Sequence, residues 1–401
     1  MKRRVVVTGL NMITPLGLNL ETSWDNFVAG KNGISLISLF DTSNHMTKIA
    51  GELSSDFENY SKKSCKKYLS KKMGRATKIC YVCAKEAVES SGIDFKNYDA
   101  MRCSVILGAN DTGHSRIYHN NKNWLMKTMV NGMAAWISIT YKIEGPCFTI
   151  ATACSSSAYA IGYGYDLIRS NMADVVIVGG AGSIVNPEHL EGFNEVYALS
   201  TSSDIPEKAS RPFSIDRDGF VLGEGAGILI LEDINTAKKR GAYIYAEMIG
   251  HALTSEAYNI MSPKRDGSGM AKTMDLALKK SKIKKEEVDY INAHGTSTPH
   301  NDRVETLAIK KVFGKHACDI PVSSSKSMIG HTASACGGIE AVLTIMSIKN
   351  GMITPTINYH PDPELDLDYV PNIARKQKID VAISNSFAFG GHNATLVFKK
   401  Y

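Results

Sequence analysis

The chain has 401 residues, 43% of them hydrophobic and 21% charged, with a net charge of +6. That is enough to bury a large core, in an ordinary globular composition rather than a disordered one. The modest charge is not gathered into a basic face interleaved with aromatics, which argues against nucleic-acid binding, and no window approaches eighteen uncharged apolar residues, which argues against a membrane span.

The N-terminus, MKRRVVVTGLNMITPLG, is basic and then apolar, as a secretory signal would be. Its apolar part is short, β-branched and broken by Gly9, with no cleavage site, so it reads as the buried first strand of a cytoplasmic protein. A helix is expected over 21–30. The run KKSCKKYLSKKMGR (62–75) reads as a solvated helix face that is also suited to dock an acidic partner. Residues 74–91 form an amphipathic pattern that puts Cys80 and Cys83 on one helix face. With no second pair at zinc-ligand spacing, both are expected to pack. The eight cysteines are scattered and lack the density of a disulfide scaffold.

CSVILGAN (103–110), CFTIATA (147–153) and DVVIVGGAG (174–182) are short β-branched runs of the fully buried kind, with a helix expected over 155–170. DGFVLGEGAGILILED (218–233) reads as two strands joined by a turn. Its GEGAG precedes a strand rather than a helix, so a dinucleotide fingerprint is rejected. From residue 242 the order recurs: strand 242–255, helix 269–282, strand 288–295, helix 301–314, strand 319–327, helix 333–351 and a closing hairpin over 381–401. This alternation predicts an α/β architecture with largely parallel sheets, in two similar halves, 1–241 and 242–401, packed as one body.

Four segments share a design in which a buried strand ends in small or polar residues just before a helix or turn. FTIATACSSS carries Cys154, INAHGTSTPHNDRVET carries His294, SSSKSMIGHTASACGG carries Lys326 and His331, and SNSFAFGGHN carries Phe389. In layered α/β folds the carboxyl ends of strands gather at one crevice. The unpaired N–H groups of the helix after Cys154 stabilise a thiolate, which suits it to attack a thioester. Histidine is a proton donor or acceptor fit to work beside such a nucleophile, and the FGG loop can offer a backbone N–H to a developing oxyanion.

TACSSS, NAHGTST, KSMIGH and NSFAFGGHN, in this order and spacing, resemble the β-ketoacyl-[acyl-carrier-protein] synthases of the Cys-His-His type, a pattern shared with polyketide ketosynthases. The resemblance spans essentially the whole chain. It implies a thiolase-like fold of two similar halves in a layered αβαβα sandwich, working without an organic cofactor as a homodimer or a heterodimer with a paralogous chain-length-factor subunit. It also implies a decarboxylative Claisen condensation: Cys154 accepts an acyl group from an acyl-carrier protein, and His294 and His331 bind the thioester carbonyl of malonyl-carrier protein. By the same likeness, Lys326 supports the second histidine, the N–H groups of Cys154 and Phe389 form the oxyanion hole, and Thr296 and Thr298 contact the pantetheine arm. Lys71 and Lys72 fall where relatives dock the carrier protein. Asn292, Glu305, Glu340, Ser384 and Asn385 fall where some relatives surround a cation, the plainer alternative being an internal hydrogen-bond network.

Three departures bear on substrate, and a fourth, at Ser202, bears on which carrier protein is used. Ser202 stands where some relatives have a docking arginine. Ala388, between Phe387 and Phe389, replaces a glycine with freer access to positive φ. The stretch from Gly108 to Cys154 is about a dozen residues shorter than usual, and Asp111 occupies an apolar or small acyl-pocket position. A buried carboxylate is costly, so a specialised enzyme for polar, aromatic or unsaturated β-functionalised chains is expected, as in polyketide and aryl-polyene systems. The plainer alternative is ordinary fatty-acid elongation with Asp111 facing solvent. Intact Cys154, His294 and His331 argue against a non-catalytic partner subunit. A degradative thiolase would place a second cysteine near the site, and Cys336 reads instead as helix packing.

Overall fold

The computed structural model describes residues 3–113 and 122–401; part of the shortened Gly108–Cys154 connection lies outside them. Ten strands carry the architecture: β1 (Val5–Ile13), β2 (Cys103–Gly108), β3 (Cys147–Ile150), β4 (Val175–Ser183), β5 (Leu222–Asp233), β6 (Ala246–Ser255), β7 (Tyr290–Asn292), β8 (Val322–Ser323), β9 (Val381–Ala388) and β10 (His392–Lys399). Every residue of β1, β2, β4 and β5 is buried. That is why their sequences run apolar without alternation: both faces are covered.

Across the sheet the order is β8-β7-β9-β10-β6-β1-β5-β4-β2-β3. Read outward from the middle, each half gives its first, fifth, fourth, second and third strand. In each half the second strand runs parallel to the third and fourth, while the fifth runs antiparallel to the fourth and the first. The halves meet edge to edge at only three residue pairs, Val5 with Met248, Val6 with Glu247 and Val7 with Ala246. The repetition expected from the sequence is therefore one of topology. The expectation of largely parallel sheets is corrected to mixed ones, because the last strand of each half returns antiparallel, through a tight turn at 389–391 in the second half.

Six helices make the layers: α1 (Arg75–Ser91), α2 (Ser156–Arg169), α3 (Pro187–Glu195), α4 (Ser268–Ser281), α5 (Pro299–Phe313) and α6 (Cys336–Asn350). Helices α2 and α6 touch each other and strands of both halves, α1 covers the outer face of the first half, and α4 with α5 covers that of the second. The result is helix, sheet, helix, sheet, helix, the layering the resemblance implied. The central core joins Ile161 and Ile168 to Ile339 and Val342, and outer cores form around Ile79 and Val82 and around Met274 and Ile309. Cys80 and Cys83 are fully buried in the first outer core, as expected of packing residues.

Residues 218–233 are not two strands with a turn. GEGAG lies inside the single strand β5, and its glycines let other backbone approach. A Cβ on Gly227 would sit 2.2 Å from the backbone of Gly338, at the head of α6. The basic run is also broken, into helices Phe57–Ser64 and Lys67–Ser70 with extended Cys65 between them. No helix among the described residues is long and apolar enough to cross a membrane.

Candidate active site

Cys154 lies in the tight turn from β3 into α2. Ala153 holds φ at +50°, the left-handed region, so the chain bends sharply there and leaves the partly exposed Cys154 at the corner. The turn is tied by Ser156, whose hydroxyl donates to the Ala153 carbonyl at 2.7 Å and accepts from the Thr152 N–H at 2.9 Å. The CSSS run thus begins a helix and braces the nucleophile's own loop.

His294 follows β7 and is 2% exposed. Its N–H and that of Gly295 donate to the two oxygens of Glu305 on α5, at 2.9 and 2.8 Å. Asp302, one turn earlier, takes the N–H groups of Thr296 and Ser297 at 2.9 and 3.1 Å. Two buried carboxylates therefore hold the strand end by its backbone. Burial pushes Glu305 up to about 7 against those hydrogen bonds. The Lys326 ammonium donates to the His294 carbonyl at 2.6 Å and lies 3.4 Å from its Nδ1, while pairing with Glu340. Burial would lower Lys326, but Glu340 outweighs it and holds the lysine up at about 12. Burial, then Lys326 and His331, keep His294 well below the ordinary imidazole range. Its ring is neutral at physiological pH.

The structure corrects the partner assigned to Lys326. Its ammonium bonds the first histidine, not the second, because the side chain crosses from the turn after β8 to the neighbouring parallel strand end at β7. His331 is oriented instead by its own loop: the Ala333 N–H donates to its Nδ1 at 3.0 Å, and Phe220 packs on the ring at 5.1 Å between centroids.

Cys154 Sγ and one ring nitrogen of each histidine all lie within 4.8 Å of one another, with the rings edge to face at 5.6 Å. A cysteine and two histidines this close have the donor set of a zinc site. The tautomers oppose it. With Nδ1 accepting in both rings, Nε2 carries the proton in each and is a donor rather than a ligand. Two N–H donors beside a thiol are fitted to grip a carbonyl oxygen.

The three groups open into a cavity of about 450 Å³ that is also lined by Phe387, Ala388, Phe389, Thr296, Thr298 and Asp111. All the residues expected at the gate and pantetheine arm are thus present. The Thr296 and Thr298 hydroxyls bond each other at 2.8 Å, and Thr298 caps α5. Ala388 is extended at φ −119°, and positive φ falls on Gly390 and Gly391, so the glycine-to-alanine departure costs this loop conformation nothing. Asp111 faces the cavity, and the alternative that it points to solvent does not hold.

Among the cavity residues missed from sequence are His189 and Glu256. His189, on the first turn of α3 after β4, would have been found by extending the strand-end argument to that strand. Glu256 gave no signal. Its N–H donates to the Gly391 carbonyl at 2.9 Å, its Oε1 accepts from Asn393 at 3.0 Å and its Oε2 from the Lys264 N–H at 2.7 Å, while the Gly390 N–H donates to the Ile260 carbonyl at 2.7 Å. Lys71 and Lys72 lie away from the cavity, on the surface after the Lys67–Ser70 helix. Ser202 accepts from Arg211 at 3.2 Å, and that guanidinium is held by Asp218 at 3.0 Å, so it is not a free docking charge.

Behind the histidines, the candidate cation residues divide. Among the described residues, Asn292 Oδ1, Ser384 Oγ and Glu340 Oε2 are buried without hydrogen-bond partners; Asn292 and Ser384 are register neighbours on β7 and β9, and the Asn292 amide lies 3.4 Å from the Glu340 carbonyl. These orphaned oxygens fit a hard cation. Both Glu305 oxygens are taken by backbone N–H groups, and the Asn385 carbonyl accepts from Thr395 at 2.8 Å.

Family comparison agrees with this geometry. Residues 2–237 match the N-terminal domain of beta-ketoacyl synthase and residues 245–360 its C-terminal domain. The chain belongs to the beta-ketoacyl synthase family. It is 43% identical over 420 residues to 3-oxoacyl-[acyl-carrier-protein] synthase 2 of Synechocystis sp., covering 100% of this chain and 99% of that one, and 41% identical over 418 residues to the protein of the same name from Vibrio cholerae, with the same coverage. Among solved structures it is similar to the ishigamide ketosynthase/chain length factor, with a TM-score of 0.92 and 32% identity over the whole of both chains. A type II polyketide ketosynthase complex, AntDE:AntF with its acyl-carrier protein, matches over the same extent with a TM-score of 0.88 and 32% identity.

Proposed function

We propose that this chain is a β-ketoacyl-[acyl-carrier-protein] synthase that joins an acyl chain on Cys154 to a malonyl unit. The Cys154 thiolate attacks the thioester carbon of an acyl-carrier protein and expels the carrier thiol. Malonyl-carrier protein then enters, and the Nε2–H groups of His294 and His331 bind its thioester oxygen. Loss of CO₂ leaves an enolate, whose negative charge the two donors stabilise. Its carbon attacks the acyl-Cys154 carbonyl, the oxyanion rests on the N–H groups of Cys154 and Phe389, and collapse expels the Cys154 thiolate. The product is two carbons longer.

The observation that carries this reading is the meeting of one sulfur and two imidazoles of fixed tautomer within 4.8 Å. The route needs no organic cofactor, and a hard cation behind the histidines would serve the framework rather than a chemical step. The acidic carrier protein docks through Lys71 and Lys72. A second subunit, a copy or a paralogue, pairs along edge strand β3, where Cys147 is exposed and Phe148 is 40% exposed. The reaction belongs in the cytoplasm, where carrier proteins are loaded.

Acyl-carrier protein incubated with the enzyme, followed by peptide mass spectrometry, tests the reading. The acyl group is expected on Cys154, and Cys154→Ala is expected to lose both labelling and C–C bond formation. His294→Ala and His331→Ala are expected to keep labelling and lose decarboxylation of malonyl-carrier protein by at least about a hundredfold. Condensation surviving in Cys154→Ala would overturn it.

A further inference from the structure

Asp111 and His189 line the same cavity as Cys154 yet have no part in the chemistry above. They stand at the carboxyl ends of neighbouring parallel strands, Asp111 after β2 and His189 after β4. Asp111 Oδ1 accepts from the Gly113 N–H at 2.6 Å, while Oδ2 is buried and without a hydrogen bond among the described residues. His189 Nε2 lies 4.0 Å from Oδ2. The His189 ring is fixed from its far side: Nδ1 is 2.9 Å from Oδ1 of Asn186, the residue that caps α3, and the ring face lies against Phe193. Nδ1 therefore carries a proton and Nε2 is aimed at Asp111. Ile184 and Phe193 are among the apolar residues that line the same cavity. Burial holds the Asp111 carboxyl above its usual range, offset in part by His189.

A carboxylate oxygen left buried and unpaired is costly, and 4.0 Å is too long for a direct hydrogen bond. It suits one further oxygen seated beside both atoms at about 2.8 Å from each. We propose that Asp111 and His189 form an oxygen-recognition site in the acyl cavity, and that the chain carried on Cys154 bears a hydroxyl group that binds between them. This rests on the ketosynthase reading and names its substrate class. A chain hydroxyl donates its proton to Asp111 Oδ2 or to His189 Nε2, which the Nδ1 proton leaves as an acceptor. A saturated chain offers no hydroxyl and leaves Asp111 Oδ2 unpaired.

The test compares kcat/KM for condensation of malonyl-carrier protein with octanoyl-carrier protein and with its 3-, 5- and 7-hydroxy derivatives. At least one hydroxyoctanoyl isomer is expected to exceed octanoyl by about tenfold to a hundredfold, the range for leaving a buried acceptor unpaired. Asp111→Leu and, independently, His189→Phe are expected to bring that ratio to about one or below, and Asp111→Asn to retain part of it. If octanoyl is the fastest substrate of the unmodified enzyme, or if the preference survives both apolar variants, the oxygen site is overturned while the ketosynthase reading stands. No condensation with any of the four chains would overturn the ketosynthase reading itself.

Discussion

The Nδ1 atoms of His294 and His331 are engaged from behind, one by the Lys326 ammonium and the other by the Ala333 N–H. A buried cation beside His294 also opposes its protonation. As pH falls, the ring therefore stays neutral through the range where a free imidazole would gain its second proton. Decarboxylation of malonyl-carrier protein should show no acid-side loss from His294 near pH 6.5, the ordinary imidazole value. In the double variant Lys326→Met/Glu340→Leu the opposing charge is gone, so the acid limb should move upward; an unmoved limb would mean that Lys326 does not set this proton. The double change is the right one, since replacing both members of a buried pair is often neutral. Lys326→Met alone strands Glu340 and should cost about 3–5 kcal/mol of unfolding free energy. At this scale the sequence was legible for the meeting of Cys154, His294 and His331, which follow strand ends and come within 4.8 Å of one another. It was not legible for the Lys326–His294 bond, because whether a long side chain turns to one strand end or the next depends on packing that no local pattern encodes.

Among the elements, α6 decides where the site sits. Its head carries Cys336, Gly337 and Gly338 against β5 and α2, and the turn just before it holds His331. A Cβ on Gly338 would come within 2.4 Å of the Gly227 carbonyl oxygen, so Gly338→Ala should force α6 off β5. The expected outcome is a loss of about 1–3 kcal/mol in denaturant unfolding and at least a tenfold fall in kcat/KM for condensation, since small displacements of reacting groups are expensive. Gly192→Ala on α3, where nothing lies within 4 Å, should leave stability nearly unchanged. Helices were readable from residue pattern at 74–91 and 155–170, which became Arg75–Ser91 and Ser156–Arg169. The single strand β5 was not. Glycines required for close approach look locally the same as glycines required for a turn.

For the whole molecule, the repeated topology places the second, third and fourth strand ends of each half around one cavity. Asp111 and His294 follow the two second strands, Cys154 and His331 the two third strands, His189 and Phe389 the two fourth strands. The doubling was visible in the sequence as a recurring order of elements, while the mixed strand directions depend on which edge each fifth strand joins. Surface charge acts at this scale too. Lys71→Glu/Lys72→Glu should lower kcat/KM for acyl-carrier protein about tenfold at low salt, with the gap closing as ionic strength rises; an effect independent of salt would assign those lysines another role. Finally, Glu256 and the Gly390–Ile260 bond fasten the segment 256–264 at the cavity's lip to the turn that bears Phe389. Phe389 cannot swing unless that lip travels with it or lets go, so the two behave as a single lever.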